Sequence, residues 1–208
     1  MSRYPISVTA LLQIAEQAGK RLAEMQGSVS LQYKADGSPY TEADVAANIL
    51  ITNALRALTP DIPVVAEEDD RLEAESLIRL RDTYWLVDPL DVTTDYVQKG
   101  RAWSANIALV QEGVPVMGVL EFPGRGERFY TGEDGRAYRQ QFGQLPIVAE
   151  VKKLDTQSYA QKPVRKPVVI AAHPSHYGQL KDDAPPEMKL VTSNGQHRAC
   201  LVACGEAL

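Results

Sequence analysis

Trp85-Leu-Val-Asp-Pro-Leu-Asp-Val-Thr-Thr94 carries an apolar run straight into two carboxylates, Asp88 and Asp91, and then into hydroxyl residues. The apolar residues from 84 to 87 read as a strand, and Asp88-Pro89 marks where it breaks off. The segment after it is able to begin a helix, with Asp91 near its N-terminus. Carboxylates at the end of a strand occupy the position where α/β proteins place their ligand sites. The stretch therefore predicts an α/β fold with a site at its strand ends.

Upstream, residues 62 to 66 form a second short β-branched run, which breaks off into Glu67, Glu68, Asp69 and Asp70. Further back, Val8, Leu11, Leu12, Ala15, Ala18, Leu22 and Met25 recur at spacings of three and four, the period of an amphipathic helix ended by Gly27. Residues 31 to 40 carry the turn signal Asp36-Gly37 and read as an extended segment with a tight reversal. Thr41 is a good N-cap for a second helix, whose apolar face is expected to be Val45, Ile49, Leu55 and Leu58. Downstream, residues 104 to 111 and 114 to 121 form two apolar runs around Glu112-Gly113, a hairpin signal. Residues 132 to 166 are polar and predict a connection with at most short elements. Residues 168 to 172, 189 to 192 and 199 to 203 predict strands of a second unit. The domain reading is residues 1–145 and 146–208.

Composition narrows the function classes. The 208 residues are 44% hydrophobic, enough for an ordinary globular core. Lys plus Arg total 22 against 27 for Asp plus Glu, a net charge of -5, which argues against a basic surface for duplex nucleic acid. A small anionic substrate stays compatible, because bound cations reverse the local sign of a site. No apolar run approaches the roughly 18 residues of a membrane span, and the N-terminus lacks a leader pattern, so a cytoplasmic location is expected. Cys200 and Cys204 are too few for a disulfide framework and read as buried thiols.

Three acidic groups carry the chemistry: Asp44 on the second helix, Glu67 with Glu68, and Asp88 with Asp91. All offer oxygen and none is paired with an imidazole, a set that suits magnesium better than zinc. Two such ions side by side clamp a phosphoryl group and activate water. Each piece also has a plainer reading. Thr41-Glu42-Ala43-Asp44 is equally a capping box, residues 67 to 70 a solvated loop, Asp88-Pro89 a turn and Asp91 an N-cap. Jointly the plainer readings are weaker, since they leave carboxylates at two successive strand ends to chance.

Lys34-Ala-Asp-Gly-Ser-Pro-Tyr-Thr-Glu-Ala-Asp44, Val64-Val-Ala-Glu-Glu68, the opening stretch and Ser104-Ala-Asn-Ile-Ala-Leu109 resemble, in order and spacing, the inositol monophosphatase superfamily. Its branch of 3'(2'),5'-bisphosphate nucleotidases is the most similar. The resemblance covers residues 7 to 125 well and the rest loosely. It implies a layered α+β sandwich with magnesium between two subdomains, and hydrolysis of a phosphate monoester by an activated water. Glu67, Asp88 and the Leu90 carbonyl would hold one ion, and Asp88 with Asp91 a second. Asp44 with Thr93 would orient and deprotonate the water. The amides of Val92 and Thr93 would receive phosphate oxygens, with Glu68 and Lys34 in the surrounding shell.

The resemblance breaks at three places. Where the family writes Asp-Gly-Thr this chain has Asp91-Val92-Thr93, and a β-branched residue tolerates positive φ poorly, so the loss is partial only if φ is negative. The chain stops at Gly205-Glu-Ala-Leu208, where relatives continue into a Trp-Asp segment with a further metal aspartate, so the second subdomain is expected to be incomplete. The nucleotide-contacting stretch of relatives falls on Asn194-Gly-Gln-His-Arg198, which makes Arg198 the substrate-binding candidate there. His173 and His176 stand near a Ser-His pair of relatives and read as surface or capping groups.

Two functions follow. One is a phosphomonoesterase acting on a small phosphorylated metabolite, with adenosine 3',5'-bisphosphate as the first guess. The other is a catalytically impaired descendant that serves binding or assembly, with an open sheet edge that invites a homodimer.

Overall fold

Ser7 opens the first helix, α1 (Val8–Met25), by accepting a hydrogen bond from the Ala10 amide at 3.1 Å, while Glu133 Oε1 takes the Val8 amide at 2.8 Å. Leu11, Ala15, Ala18 and Leu22 form its fully buried stripe, and Gly27 ends it in left-handed backbone at φ 86°. The computed structural model describes residues 3–34, 37–69, 74, 76–78, 81–149, 168–172, 188–192 and 200. The chain divides into two units, 1–148 and 149–208.

In the first unit a short hairpin, β1 (Gln32–Tyr33) and β2 (Pro39–Tyr40), leads to α2 (Glu42–Leu58). Next come β3 (Val64–Ala66), β4 (Thr83–Asp91), a single-turn helix α3 (Thr93–Val97), β5 (Ser104–Gln111) and β6 (Val114–Phe122). A 3-10 turn, Pro123–Arg125, precedes β7 (Glu127–Thr131), β8 (Ala137–Gln141) and β9 (Ile147–Val148). The strands from β3 to β9 form one seven-stranded sheet in sequence order, antiparallel throughout except for the parallel pair β3–β4. Alternate residues Trp85, Val87, Ile107, Leu109, Met117 and Val119 join the stripes of α1 and α2 in one core. Each large aliphatic or aromatic side chain buried there contributes about 1.5–3 kcal/mol. Two polar tips in this core are satisfied: the Trp85 indole donates to Thr59 Oγ1 at 2.9 Å, and Tyr96 of α3 donates to the Leu22 carbonyl of α1 at 2.6 Å.

Two expectations change, and a third is filled in. The buried face of α2 is Ala43, Ala47, Ile51 and Leu55, whereas Val45, Ile49 and Leu58 are 40%, 54% and 50% exposed. The carboxylate of Asp44 turns inward at the first turn, which sets the rotation of the helix and carries Val45 and Ile49 outward. The polar stretch after residue 132 holds only short elements, as expected, namely β8 and β9. These are held by cross-strand pairs, not by an apolar face: Tyr130 stacks on Tyr138, and Arg139 and Gln141 bond Glu127 at 2.8 and 3.0 Å. Cys200 is half-buried in helical backbone, not strand; apolar runs as short as 199–203 do not separate the two by period.

In the second unit β10 (Val168–Ala172) and β11 (Met188–Thr192) pair in parallel, from Val168↔Met188 to Ala172↔Thr192. Among the described residues no helix is long and apolar enough to cross a membrane.

A buried acid also lies within the helix-sheet layer. Glu121 of β6 is 1% exposed, faces Gly19 of α1, and stands opposite Arg128 of β7 at 3.5 Å. Burial pushes its carboxyl up to about 7, against the pull of Arg128. A folded-state value above the ordinary 4.5 means that stability is greatest below about 4.5 and declines as pH rises to about 7. The slope is at most about 1.4 kcal/mol per pH unit. Glu121→Gln is expected to flatten that decline in urea unfolding followed across this window; an unchanged slope refutes the assignment.

Candidate active site

β4 pairs with β5 regularly as far as Asp88↔Asn106, and the next pair is Asp91↔Ser104. Three steps on β4 thus match two on β5, a one-residue bulge that contains Pro89 and Leu90. In an unbroken strand, residues three apart point to opposite faces, and the extra residue returns Asp91 to the side of Asp88. Proline, which cannot donate to the ladder, is tolerated at such a bulge.

The consequence is a crowd of like charges. Burial first, then the Glu67 and Asp91 carboxylates, push Asp88 up to about 8. Asp88 Oδ2 accepts a hydrogen bond from Asn106 Nδ2 at 3.3 Å, while its Oδ1 is buried without a donor. Glu67 arrives from β3: its amide donates to the Val87 carbonyl at 2.9 Å, which extends the parallel pairing by one residue and delivers its carboxylate at the strand end. Asp69 has the plainer role, closing the turn by accepting the Ala66 amide at 2.8 Å. Glu68 forms an ion pair with Lys34 at 3.0 Å, and Lys34 Nζ also lies 3.5 Å from the Glu67 carbonyl.

Asp44 joins this cluster from the helix layer. Its Oδ2 accepts the Thr41 amide at 2.8 Å and the Thr41 hydroxyl at 2.6 Å, completing a capping box. Its Oδ1 lies 3.2 Å from Thr93 Oγ1, which is also 3.2 Å from the Leu90 carbonyl. The side chain is 2% exposed, and burial holds its carboxyl above the usual range while the Thr41 and Thr93 bonds oppose the shift. One side chain thus satisfies both the capping reading and contact with the β4–α3 turn.

The donor set is all oxygen, rich in carboxylates, and holds one buried oxygen without a hydrogen-bond partner, so its chemistry fits a hard divalent cation such as magnesium. Among the described residues no group of three or more His, Cys, Asp or Glu side chains is arranged to hold a metal ion by itself. Magnesium commonly uses only one or two carboxylates beside carbonyl, water and phosphate oxygens.

Residues 5–207 match the inositol monophosphatase family. The chain belongs to that family. The 3'(2'),5'-bisphosphate nucleotidase CysQ of Salmonella typhimurium is 40% identical over 134 residues, 63% of this chain and 53% of the relative. The chain thus spans about half of that protein's length. CysQ of Escherichia coli O6:H1 is 32% identical over 94% of this chain and 76% of its own. Among solved structures, CysQ from Bacteroides thetaiotaomicron is 27% identical, with a TM-score of 0.63 over 96% of this chain and 76% of that one. An inositol monophosphatase of Thermotoga maritima, 20% identical with a TM-score of 0.68, shares the fold.

In this member of the inositol monophosphatase family, Lys34 meets Glu68, Glu67 and Asp91 flank Asp88, and Thr93, next to Val92, meets Asp44 and the Leu90 carbonyl. Asp70, His173, His176, Arg198 and Cys204 lie outside the described residues. Asn106 was missed. Its signal was a polar amide in the middle of an apolar strand run.

Val92 departs from the favourable case. Its backbone is left-handed, φ 64° and ψ 49°, at the residue preceding α3. This conformation costs a residue other than glycine about 1–3 kcal/mol, the more so with a β-branched side chain. Val92→Gly removes that strain while loosening the unfolded chain by about 0.4–1 kcal/mol. Strain relief is the larger effect, so Val92→Gly is expected to raise stability by about 1 kcal/mol, a rise of roughly 2–4 °C in melting temperature. A fall would show that valine is at ease in this turn.

Proposed function

We propose that this chain hydrolyses phosphate monoesters with magnesium, and that its substrate is a small bisphosphorylated nucleotide such as adenosine 3',5'-bisphosphate. The observation that carries the reading is Asp88, with a buried oxygen that lacks a hydrogen-bond partner and two neighbouring carboxylates, Glu67 and Asp91, that raise its proton affinity. CysQ relatives, named as 3'(2'),5'-bisphosphate nucleotidases, supply the substrate class.

Glu67, Asp88, Asp91 and the Leu90 carbonyl would hold magnesium, which when bound neutralises phosphate charge and eases deprotonation of water. The amides of Val92 and Thr93 would orient the phosphate. Thr93 Oγ1 sits between Asp44 and Leu90 and has one hydrogen to give. When that hydrogen points to Asp44, the hydroxyl oxygen accepts from the incoming water. Water oxygen then bonds to phosphorus, the ester oxygen leaves and takes a proton from solvent, and the water proton passes through Thr93 to Asp44. The raised affinity of Asp44 for a proton suits it to receive one. Arg198 is carried forward as a substrate contact, residues 1–145 as the metal-binding subdomain, and the cytoplasm as the location.

One observation favours a second reading. The left-handed Val92 places a branched side chain at the proposed phosphate-binding turn, and a site narrowed there would bind phosphate esters without turning them over.

The test is magnesium-dependent phosphate release from adenosine 3',5'-bisphosphate, inositol 1-phosphate and fructose 1,6-bisphosphate. The expected result is release from the first that falls about 100-fold or more in Asp88→Asn, the scale of a lost metal contribution. Folded protein with no release above Asp88→Asn would leave the second reading.

A further inference from the structure

Among the described residues, eight buried side-chain atoms lack a hydrogen-bond partner, and three of them are Asp88 Oδ1, Asn106 Oδ1 and Ser104 Oγ. Folded proteins leave few such groups, so a concentration on neighbouring rungs of one ladder calls for a cause. The rungs are Asp88↔Asn106 and Asp91↔Ser104. Ser104 and Asn106 are two apart on β5 and share a face, the one opposite to Ala105, Ile107 and Leu109 in the helix-sheet core. An apolar residue at 106 would serve the strand better, since a buried amide with an unmet oxygen costs about 1–3 kcal/mol.

Asn106 does one thing an apolar residue does not. Its Nδ2 donates to Asp88 Oδ2 at 3.3 Å. The opposite amide orientation would set two acceptors against each other, so the nitrogen faces the carboxylate. With Oδ2 held, Oδ1 is left buried and without a donor. Charge matters as much as geometry. A lysine here would fix Asp88 but also neutralise it, removing the need for a cation. The cation the site does carry, Lys34, is placed on Glu68. A neutral donor orients the carboxyl without itself supplying the positive charge that a cation would bring.

We propose that Asn106 is a positioning residue for the metal site, holding Asp88 Oδ2 so that Oδ1 is the oxygen presented to a divalent cation. This rests on the magnesium reading of the site. It adds a residue on β5 that binds neither metal nor substrate and acts through Asp88. Partners that orient a ligand in this way commonly change metal affinity by about 10- to 100-fold when removed.

The experiment is calorimetric titration of the full chain with magnesium chloride alone, with melting temperature in the absence of magnesium recorded for every variant. Asn106→Leu, similar in size and without a donor, is expected to bind magnesium about 10- to 100-fold more weakly while melting near the wild type. Asn106→His, whose Nδ1–H has a similar reach, is expected to recover most of the affinity, which a mere packing role would not produce. If Asn106→Leu fails to fold, Asn106→Ser, too short to reach Asp88, gives the same reading. Affinity within twofold of wild type in the donor-free variant overturns the role of Asn106 and leaves the metal site standing. No magnesium binding by the wild type overturns the metal reading and this role with it.

Discussion

The buried carboxylate of Asp44 is the point on which the arrangement turns. An ionised group with so little exposure is costly unless hydrogen-bonded, and here Thr41 supplies two bonds and Thr93 faces the other oxygen. Those bonds fix the start of α2, set which face of that helix meets the sheet, and tie the helix layer to the turn between β4 and α3. The inward Asp44 turns Ala43, Ala47, Ile51 and Leu55 to the core and leaves Val45 and Ile49 outside.

Around that point, the backbone gathers negative charge instead of separating it. Parallel pairing of β3 with β4 brings Glu67 beside Asp88, and the bulge at Pro89-Leu90 turns Asp91 to the same side. Regular strands would have placed these acids apart. Their repulsion opposes folding, and it is offset by a core that includes two tryptophans and the stripes of two helices. Val92 adds backbone strain within the same few residues. Irregularity is thus concentrated where the chemistry is proposed, and the rest of the sheet is regular enough to bear it.

Much of this was legible in the sequence where local signals and tertiary context agree. The period of α1, the N-cap at Thr41, the hairpin at Glu112-Gly113 and acids at two strand ends all reappear as described. The gaps are as instructive. α2 carries apolar residues on two faces, and only the burial of Asp44 selects between them. β8 carries Arg139 and Gln141, whose partner, Glu127, lies on another strand and is invisible to a local pattern. The bulge was unreadable because a proline after a strand signals an end as readily as an irregularity. Asn106 stood within a quoted motif, yet its meaning depends on register with Asp88, which composition does not reveal.

Burial of the aromatic core has a spectroscopic consequence. The chain has two tryptophans, Trp85 and Trp103, and both lie in the first unit with 0% and 1% exposure. Trp103 meets Tyr96 edge-on at 5.1 Å, so its indole reports the seating of α3, while Trp85, bonded to Thr59, reports the helix-sheet core. Indole fluorescence therefore follows unfolding of residues 1–148 directly. It carries no chromophore from residues 149–208, whose unfolding needs a second probe before a single transition is taken for the whole chain.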